Sequence, residues 1–499
     1  MTALRYASAL ASQHGNRSVS SKTTLNAKNL EALGAERLAE LLIEVSTGNA
    51  ATKRRLRMEL AGAQSPGQLA KEVRKRLNTL ARSRSFVDWQ TIKPLANDLE
   101  TQRRAIAEQV AKADPAEALE LMWRFMALAS SVFARCDDSN GTVMEIVHTA
   151  CDDLGALADT AKADPMPLAD RAFDALVVND YGQFDHLITV LTPALGQVGL
   201  DHLKRRMIAL SNQPVTRPAD KDRVETGWSS SGPIFADEIA ERSRVSKVRL
   251  ALMEIADAQG DVDAFIAQYA EQTRKVPKIA ADIARRLVSA GRADEALRTI
   301  EAAEHPENIS GGRPNFDWED ARIEALEALG RATEAQDDRW SCFEHFLSAP
   351  HLRAYLKRLP DFDDIEAEDR ALDLAAGFDN ALRALSFLTS WPSLDRAAGL
   401  VLQRANDMDG NRYDILTPAA DALAEKHPLA ATLLLRAMID FALTRSRTTR
   451  YKHAARHLMD CAGLASSIAD FGSVEAHEAY VARLPREHGR KTSFWSFVA

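Results

Sequence analysis

The sequence predicts an all-α fold, with antiparallel helix pairs stacked as a tetratricopeptide-like α-solenoid. Three observations predict it. Over 499 residues aromatics reach only 6% while hydrophobic residues reach 46%, a composition poor in the residues that fill pleated sheets. Apolar residues recur at three- and four-residue intervals, the period of an amphipathic helix. After residue 250, a Gly followed by capping or acidic residues appears three times: Gly260-Asp261-Val262-Asp263-Ala264, Gly291-Arg292-Ala293-Asp294-Glu295-Ala296 and Gly330-Arg331-Ala332-Thr333-Glu334-Ala335. Their spacings bracket the roughly 34 residues of a tetratricopeptide repeat. In the middle copy Leu287, Gly291, Ala296, Ile300 and Ala303 resemble the small-residue pattern that lets paired helices approach closely. Phe265 and Arg339 depart from that pattern.

Taken in order, residues 1–25 carry Arg5, Arg17 and Lys22 and no acid, and they read as a disordered tail. Residues 26–212 read as an N-terminal helical domain. Asn26 caps its first helix, and Leu30, Leu33, Leu38, Leu41 and Leu42 supply an apolar stripe. Ser65-Pro66 starts a further helix, and the string AKADP, at Ala111–Pro115 and again at Ala161–Pro165, ends one helix and caps the next. Residues 213–233 hold Pro214, Pro218, Gly227, Ser229, Ser230, Ser231, Gly232 and Pro233 and read as a loop or linker, with no hairpin signal. Residues 234–346 form the tetratricopeptide-like repeats, with His305-Pro306 and a weaker break at Asn308–Pro314. Residues 347–499 continue as C-terminal helical repeats, punctuated at Asp409-Gly410 and His427-Pro428.

Composition removes several functional classes. Lys and Arg total 63 and Asp and Glu 71, a net charge of −8, which argues against a globally basic nucleic-acid binder. Residues 1–110 hold eighteen Lys and Arg against ten Asp and Glu, so +8 there faces −16 in the remainder. That asymmetry permits self-association. Cys136, Cys151, Cys342 and Cys461 form no CxxC pair, so neither a disulfide framework nor a structural zinc module is expected, and a reducing cytoplasm is. There is no apolar run of membrane-spanning length and no secretory apolar region. Phosphate-loop, dinucleotide, HExxH and GxSxG signatures are missing, so neither an enzyme nor a cofactor is expected. Asp137-Asp138-Ser139-Asn140-Gly141 has the look of a calcium loop, but Thr142 and His148 occupy the positions where Gly and Glu are needed. The acids Asp363, Asp364, Glu366, Glu368 and Asp369 read as a helix start.

Two basic segments are the candidate sites. Arg445, Arg447, Arg450, Lys452 and Arg456 surround the junction of two helices. Thr448 or Thr449 is expected to cap the second helix, and cations in its first turn would welcome phosphate or carboxylate. In the same segment His453, His457 and Cys461 share a helical stripe too long for all three to hold one ion. No metal site is assigned to it. The other segment is a basic face built from Lys53, Arg54, Arg55, Arg57, Lys71, Arg74, Lys75 and Arg76. Leu56, Leu60, Leu77 and Leu80 should anchor its helices, so a solvated face is the plainer reading and phosphate contact the sharper one.

The segments NLEALGAERLAELLIE (Asn29–Glu44), KRRLRMELA (Lys53–Ala61) and EHGRKTSFW (Glu487–Trp495) resemble a bacterial family known only as a domain of unknown function. HPLAATLLLRAMIDFAL (His427–Leu443) and YKHAARHL (Tyr451–Leu458) are similar to helical regions of some SWIM zinc-finger proteins. The CxC and Cys-x-His ligands of the SWIM module are missing, so its zinc and its nucleic-acid role are not implied. The resemblance implies architecture rather than activity. The expected function is therefore a non-enzymatic scaffold or adaptor holding a protein or peptide on a concave helical surface. The alternative is a nucleic-acid- or phosphate-binding accessory protein that uses the basic patches, and a remote alternative is an enzyme with an unrecognised site.

Overall fold

The computed structural model describes residues 24–214, 217–304 and 316–498. Residues 1–23 of the expected tail, His305-Pro306 and the break at Asn308–Pro314 lie outside the described residues. The chain divides into two compact units, Met1–Gln268 and Tyr269–Ala499. Among the described residues every element is helical apart from one two-stranded hairpin and one isolated bridge. No described helix is long and apolar enough to cross a membrane.

The first unit is built on α1 (Ala35–Ser46), α2 (Ala50–Gln64), α3 (Pro66–Arg82), α4 (Ile92–Arg104), α5 (Pro115–Met126), α6 (Thr142–Thr160), α7 (Pro165–Val177), α8 (Leu187–Ser211) and α9 (Ala236–Gln259). The expected caps form. Asn26, Ser65, Asp114 and Asp164 each accept a hydrogen bond from a backbone N–H of the helix they precede. Asp138 does the same for α6, accepting from the amides of Val143 and Met144 at 2.9 Å, so the calcium-like string is a helix cap. Leu69, Val73 and Leu77 of α3 pack with Leu121 and Met122 of α5 and Leu154 of α6 in one core. At Gly155 a Cβ would overlap the Val190 carbonyl, so α6 and α8 touch backbone to backbone. Helix α8 breaks at Gly196, φ 51°.

Two expectations fail here. Leu33 and Leu42 are 47% and 48% exposed, and Leu60 is 65% exposed. The apolar stripe of α1 is covered only in part, with Leu38 and Leu41 half-buried. The segment 213–233 is also not a plain loop. It contains most of a hairpin, β1 (Glu225–Ser229) paired antiparallel with β2 (Gly232–Phe235) in the register Trp228 to Pro233. No Asn-Gly marks its turn. Ser229 holds it instead, its Oγ accepting from the Ser231 amide at 3.3 Å and donating to the Gly232 carbonyl at 3.0 Å. Gly232, at φ 121°, takes a backbone angle that other residues resist.

The second unit runs through α10 (Pro277–Ser289), α11 (Ala293–Glu301), α12 (Phe316–Ala328), α13 (Ala332–Phe346), α14 (Ala349–Leu356), α15 (Asp363–Ala376), α16 (Ala381–Ser390), α17 (Leu394–Gln403), α18 (Tyr413–Leu423), α19 (Pro428–Thr444), α20 (Tyr451–Ala465) and α21 (His477–His488). Gly291 and Gly330 end α10 and α12 with φ of 76° and 73°, the left-handed closure expected of them. Helix α10 packs on both α11 and α12, and α12 packs on α13. Phe343, Leu385, Leu416, Leu434 and Ile439 lie in its core. The acidic cluster opens α15, where Glu368 accepts from the Trp391 indole at 2.6 Å and Asp369 pairs with Arg396.

Candidate functional site

In the second unit α18, α19 and α20 enclose a cleft of about 590 Å³. Its shape begins at Gly410. A Cβ there would overlap the Ala437 carbonyl on α19, so the turn before α18 lies directly against that helix. Asp414, Thr417, Pro418 and Asp421 recur at three and four residues and present one face of α18 to the cleft. Arg450, His453, His457 and Asp460 do the same from α20 and the turn before it. Met438 and Ala442 of α19 line the apolar part.

Arg450 is held by rings rather than by a carboxylate. Its guanidinium carbon lies 4.7 Å from the Tyr413 ring centroid and 5.6 Å from that of Phe441, both within cation–π range. Tyr413 itself is 56% exposed. The His457 imidazole is pushed below its usual range, chiefly because it is buried. Its Nδ1 lies 3.8 Å from Asp460 Oδ2. The three-residue stripe divides. His453 and His457 line the cleft, while Cys461 is fully buried with its Sγ 4.0 Å from the Thr432 carbonyl. Burial pushes that thiol up to about 12, which keeps it protonated and a poor metal ligand. Among the described residues no three His, Cys, Asp or Glu side chains gather to hold a metal ion.

The structure splits the five basic candidates of this segment. Arg450 and Arg456 line the cleft; Arg445, Arg447 and Lys452 are exposed and lie off its wall. Neither Thr448 nor Thr449 caps α20. A 3-10 turn, Thr448–Arg450, intervenes after Ser446 adopts φ 50°, and Arg450 stands at the N-cap without a side-chain capping bond. The threonines are consumed by that extra turn.

In the first unit the basic face is partly neutralised. Asp98, on α4, accepts from Arg76 Nε at 2.9 Å and lies 3.7 Å from Arg54 Nη2. Arg74 pairs with Glu117 of α5. Lys53, Arg55, Arg57, Lys71 and Lys75 are exposed, and no ion pair reaches them among the described residues. Arg54 and Arg55 line a cavity of about 870 Å³ between α2 and α4. Lys71, Arg74 and Lys75 line an open trough along α3, with Asn78, Thr79 and Arg82.

Sequence reasoning missed the acidic side of both places. Asp414, Asp421 and Asp460 line the cleft, and Asp98, Glu100 and Asp153 answer the arginines. One signal was available: Glu100 stands three and four residues before Arg103 and Arg104 and pairs with both. The contact between Asp153 and Arg103 spans fifty residues and has no local signature.

The chain belongs to the Family of unknown function (DUF6880), whose model matches residues 20–497. No curated protein matches it.

Proposed function

We propose, for a member of a family with no assigned activity, a scaffold that holds a peptide segment of mixed charge in the α18–α20 cleft. In this reading the helix pairs closed by Gly291 and Gly330 stack as tetratricopeptide-like repeats. The sequential packing of α10, α11, α12 and α13 supports it. One observation carries the choice of ligand: both signs of charge line one cleft. Arg450 and Arg456 face Asp414, Asp421 and Asp460, beside the exposed Tyr413 ring. A polyphosphate would meet three carboxylates there, whereas a polypeptide with acidic, basic and apolar side chains meets complements to each.

Selection from a displayed library of random peptides on the full-length chain tests this, followed by calorimetric titration of the enriched sequences. Arg450→Glu and Asp421→Lys should each weaken binding at least tenfold. Failure to enrich any sequence, or parental affinity retained in both variants, overturns the reading. Thermal stabilisation by inorganic polyphosphate that Arg450→Glu abolishes would favour the phosphate-binding alternative.

A further inference from the structure

A second cavity of the same unit goes beyond that binding role. It measures about 650 Å³ and lies among α12, α13 and α14. Helix α14 starts irregularly. Leu347, immediately before it, adopts φ 48° and ψ 44°, a left-handed conformation that a branched side chain avoids. Ser348 follows at the N-cap position but makes no capping bond. Its Oγ lies instead 2.6 Å from His351 Nδ1, and the other ring nitrogen, Nε2, lies 3.1 Å from Asp320 Oδ1 on α12. Ser348 and His351 are 7% and 6% exposed, yet both line the cavity. The Phe316 ring lies against the imidazole, centroids 5.2 Å apart and planes tilted by 41°.

We propose that Ser348, His351 and Asp320 form a nucleophile–base–acid relay that cleaves small carboxylic esters bearing an anionic acyl group. The roles follow from the bonds. Asp320 favours the proton on Nε2, which leaves the Nδ1 lone pair to take the hydroxyl proton of Ser348. The contact to Asp320 is close but falls short of an aligned hydrogen bond, since Nε2 is buried without a partner of good geometry. Such bonds commonly tighten when substrate binds. The His351 ring differs from that of the usual serine hydrolase in which nitrogen faces the nucleophile, but the division of labour is the same.

In the first step Ser348 Oγ bonds to the ester carbonyl carbon while its proton passes to His351 Nδ1. The tetrahedral adduct collapses, the bond from carbon to the alcohol oxygen breaks, and His351 returns the proton to that oxygen. Water then attacks the acyl-serine, its proton passing through His351 to Ser348 Oγ as the carboxylic acid leaves. The developing oxyanion has donors within the first turn of α14: no backbone acceptor claims the amides of Ala349 and His351 among the described residues. Selectivity for an anionic acyl group rests on Arg383. It lines the cavity, is exposed, and has no ion-pair partner among the described residues. Arg339 and Arg358, by contrast, are both engaged by Glu327.

The test begins with the unmodified full-length protein and a fluorophosphonate probe, read by intact mass and peptide mapping. A single adduct on Ser348 is expected. Hydrolysis of the 4-nitrophenyl half-ester of succinic acid should fall at least 100-fold in Ser348→Ala. Arg383→Ala should raise KM for that half-ester and leave KM for 4-nitrophenyl acetate unchanged. Asp320→Asn should lower kcat more than tenfold and slow labelling of Ser348. If excess probe leaves Ser348 unmodified in protein with native circular dichroism, the proposal is wrong. It is equally wrong if Ser348→Ala folds and retains turnover.

Discussion

The two basic segments have similar composition and opposite surroundings. Around α3, three arginines find carboxylates on other helices: Arg76 and Arg54 at Asp98, and Arg74 at Glu117. At the α19–α20 junction, Arg445, Arg447, Lys452 and Arg456 form no ion pair among the described residues, and Arg450 rests on Tyr413 and Phe441. The difference shows that a run of basic residues does not report how much free charge it offers. Helices distant in sequence supply or withhold the partners. In the first unit packing neutralises charge, so removing a partner should cost stability. In the second unit the cleft is set by backbone contact, so its stability should depend on shape.

The largest expected effect follows from that second statement. Gly410→Ala would drive a methyl group into the Ala437 carbonyl and against the Phe441 Cβ, neither of them the free end of a flexible side chain. A loss of about 3 kcal/mol in urea denaturation is expected, as for severe overpacking. Gly463, on α20, is the control, because a Cβ there meets nothing within 4 Å. Gly463→Ala should be neutral or stabilising by up to about 1 kcal/mol. Equal responses at the two positions would show that the cleft is not shaped by this contact.

The next effect belongs to the first unit. Asp98 is 11% exposed and serves both Arg54 and Arg76. Asp98→Asn leaves two guanidiniums without their carboxylate and should cost about 2 kcal/mol, below the full penalty of a buried pair because Arg54 is 38% exposed. Arg447→Ala, at an exposed position without an ion pair, should stay within about 0.5 kcal/mol of the parent. If Arg447→Ala proved the more damaging of the two in chemical denaturation, the contrast between the segments would be lost.

What could be read from the sequence was whatever the chain decides within one turn. Asn26, Ser65, Asp114 and Asp164 cap helices because a short polar side chain reaches an amide two or three residues on. Gly260, Gly291 and Gly330 close helices because only glycine enters the left-handed region freely. The hairpin at 225–235 was hidden because serine hydroxyls, not an Asn-Gly pair, hold its turn. The exposed face of α1 was hidden because periodicity says which residues align, not whether another element covers them. Likewise Arg450 was legible as a cation beside a helix start, while the two rings beneath it and the three aspartates around the cleft were not. Their positions depend on how α18 meets α20.

The smallest effect separates burial with a partner from burial without one inside the first unit. Arg103 is buried but lies between Glu100 and Asp153, and its guanidinium is held firmly charged, first through its hydrogen bonds to Glu100. Glu254, on α9, is also largely buried, but among the described residues no cation pairs with it and its Oε2 has no hydrogen-bond partner. Burial, with Asp185 and Asp257 nearby, pushes its carboxyl up to about 7. The sign follows from linkage: the unfolded chain releases this proton near 4.5 while the folded protein keeps it to about 7. Stability from this group is therefore complete below pH 4.5, declines between 4.5 and 7, and is lost above that. Because the group is partly exposed, solvent screening reduces the effect to between about 1 and 2 kcal/mol. Glu254→Gln should raise the melting temperature at pH 8 and leave it unchanged at pH 4. A gain of the same size at both pH values would assign the effect to packing instead, and the distinction between partnered and unpartnered burial would then fail at this residue.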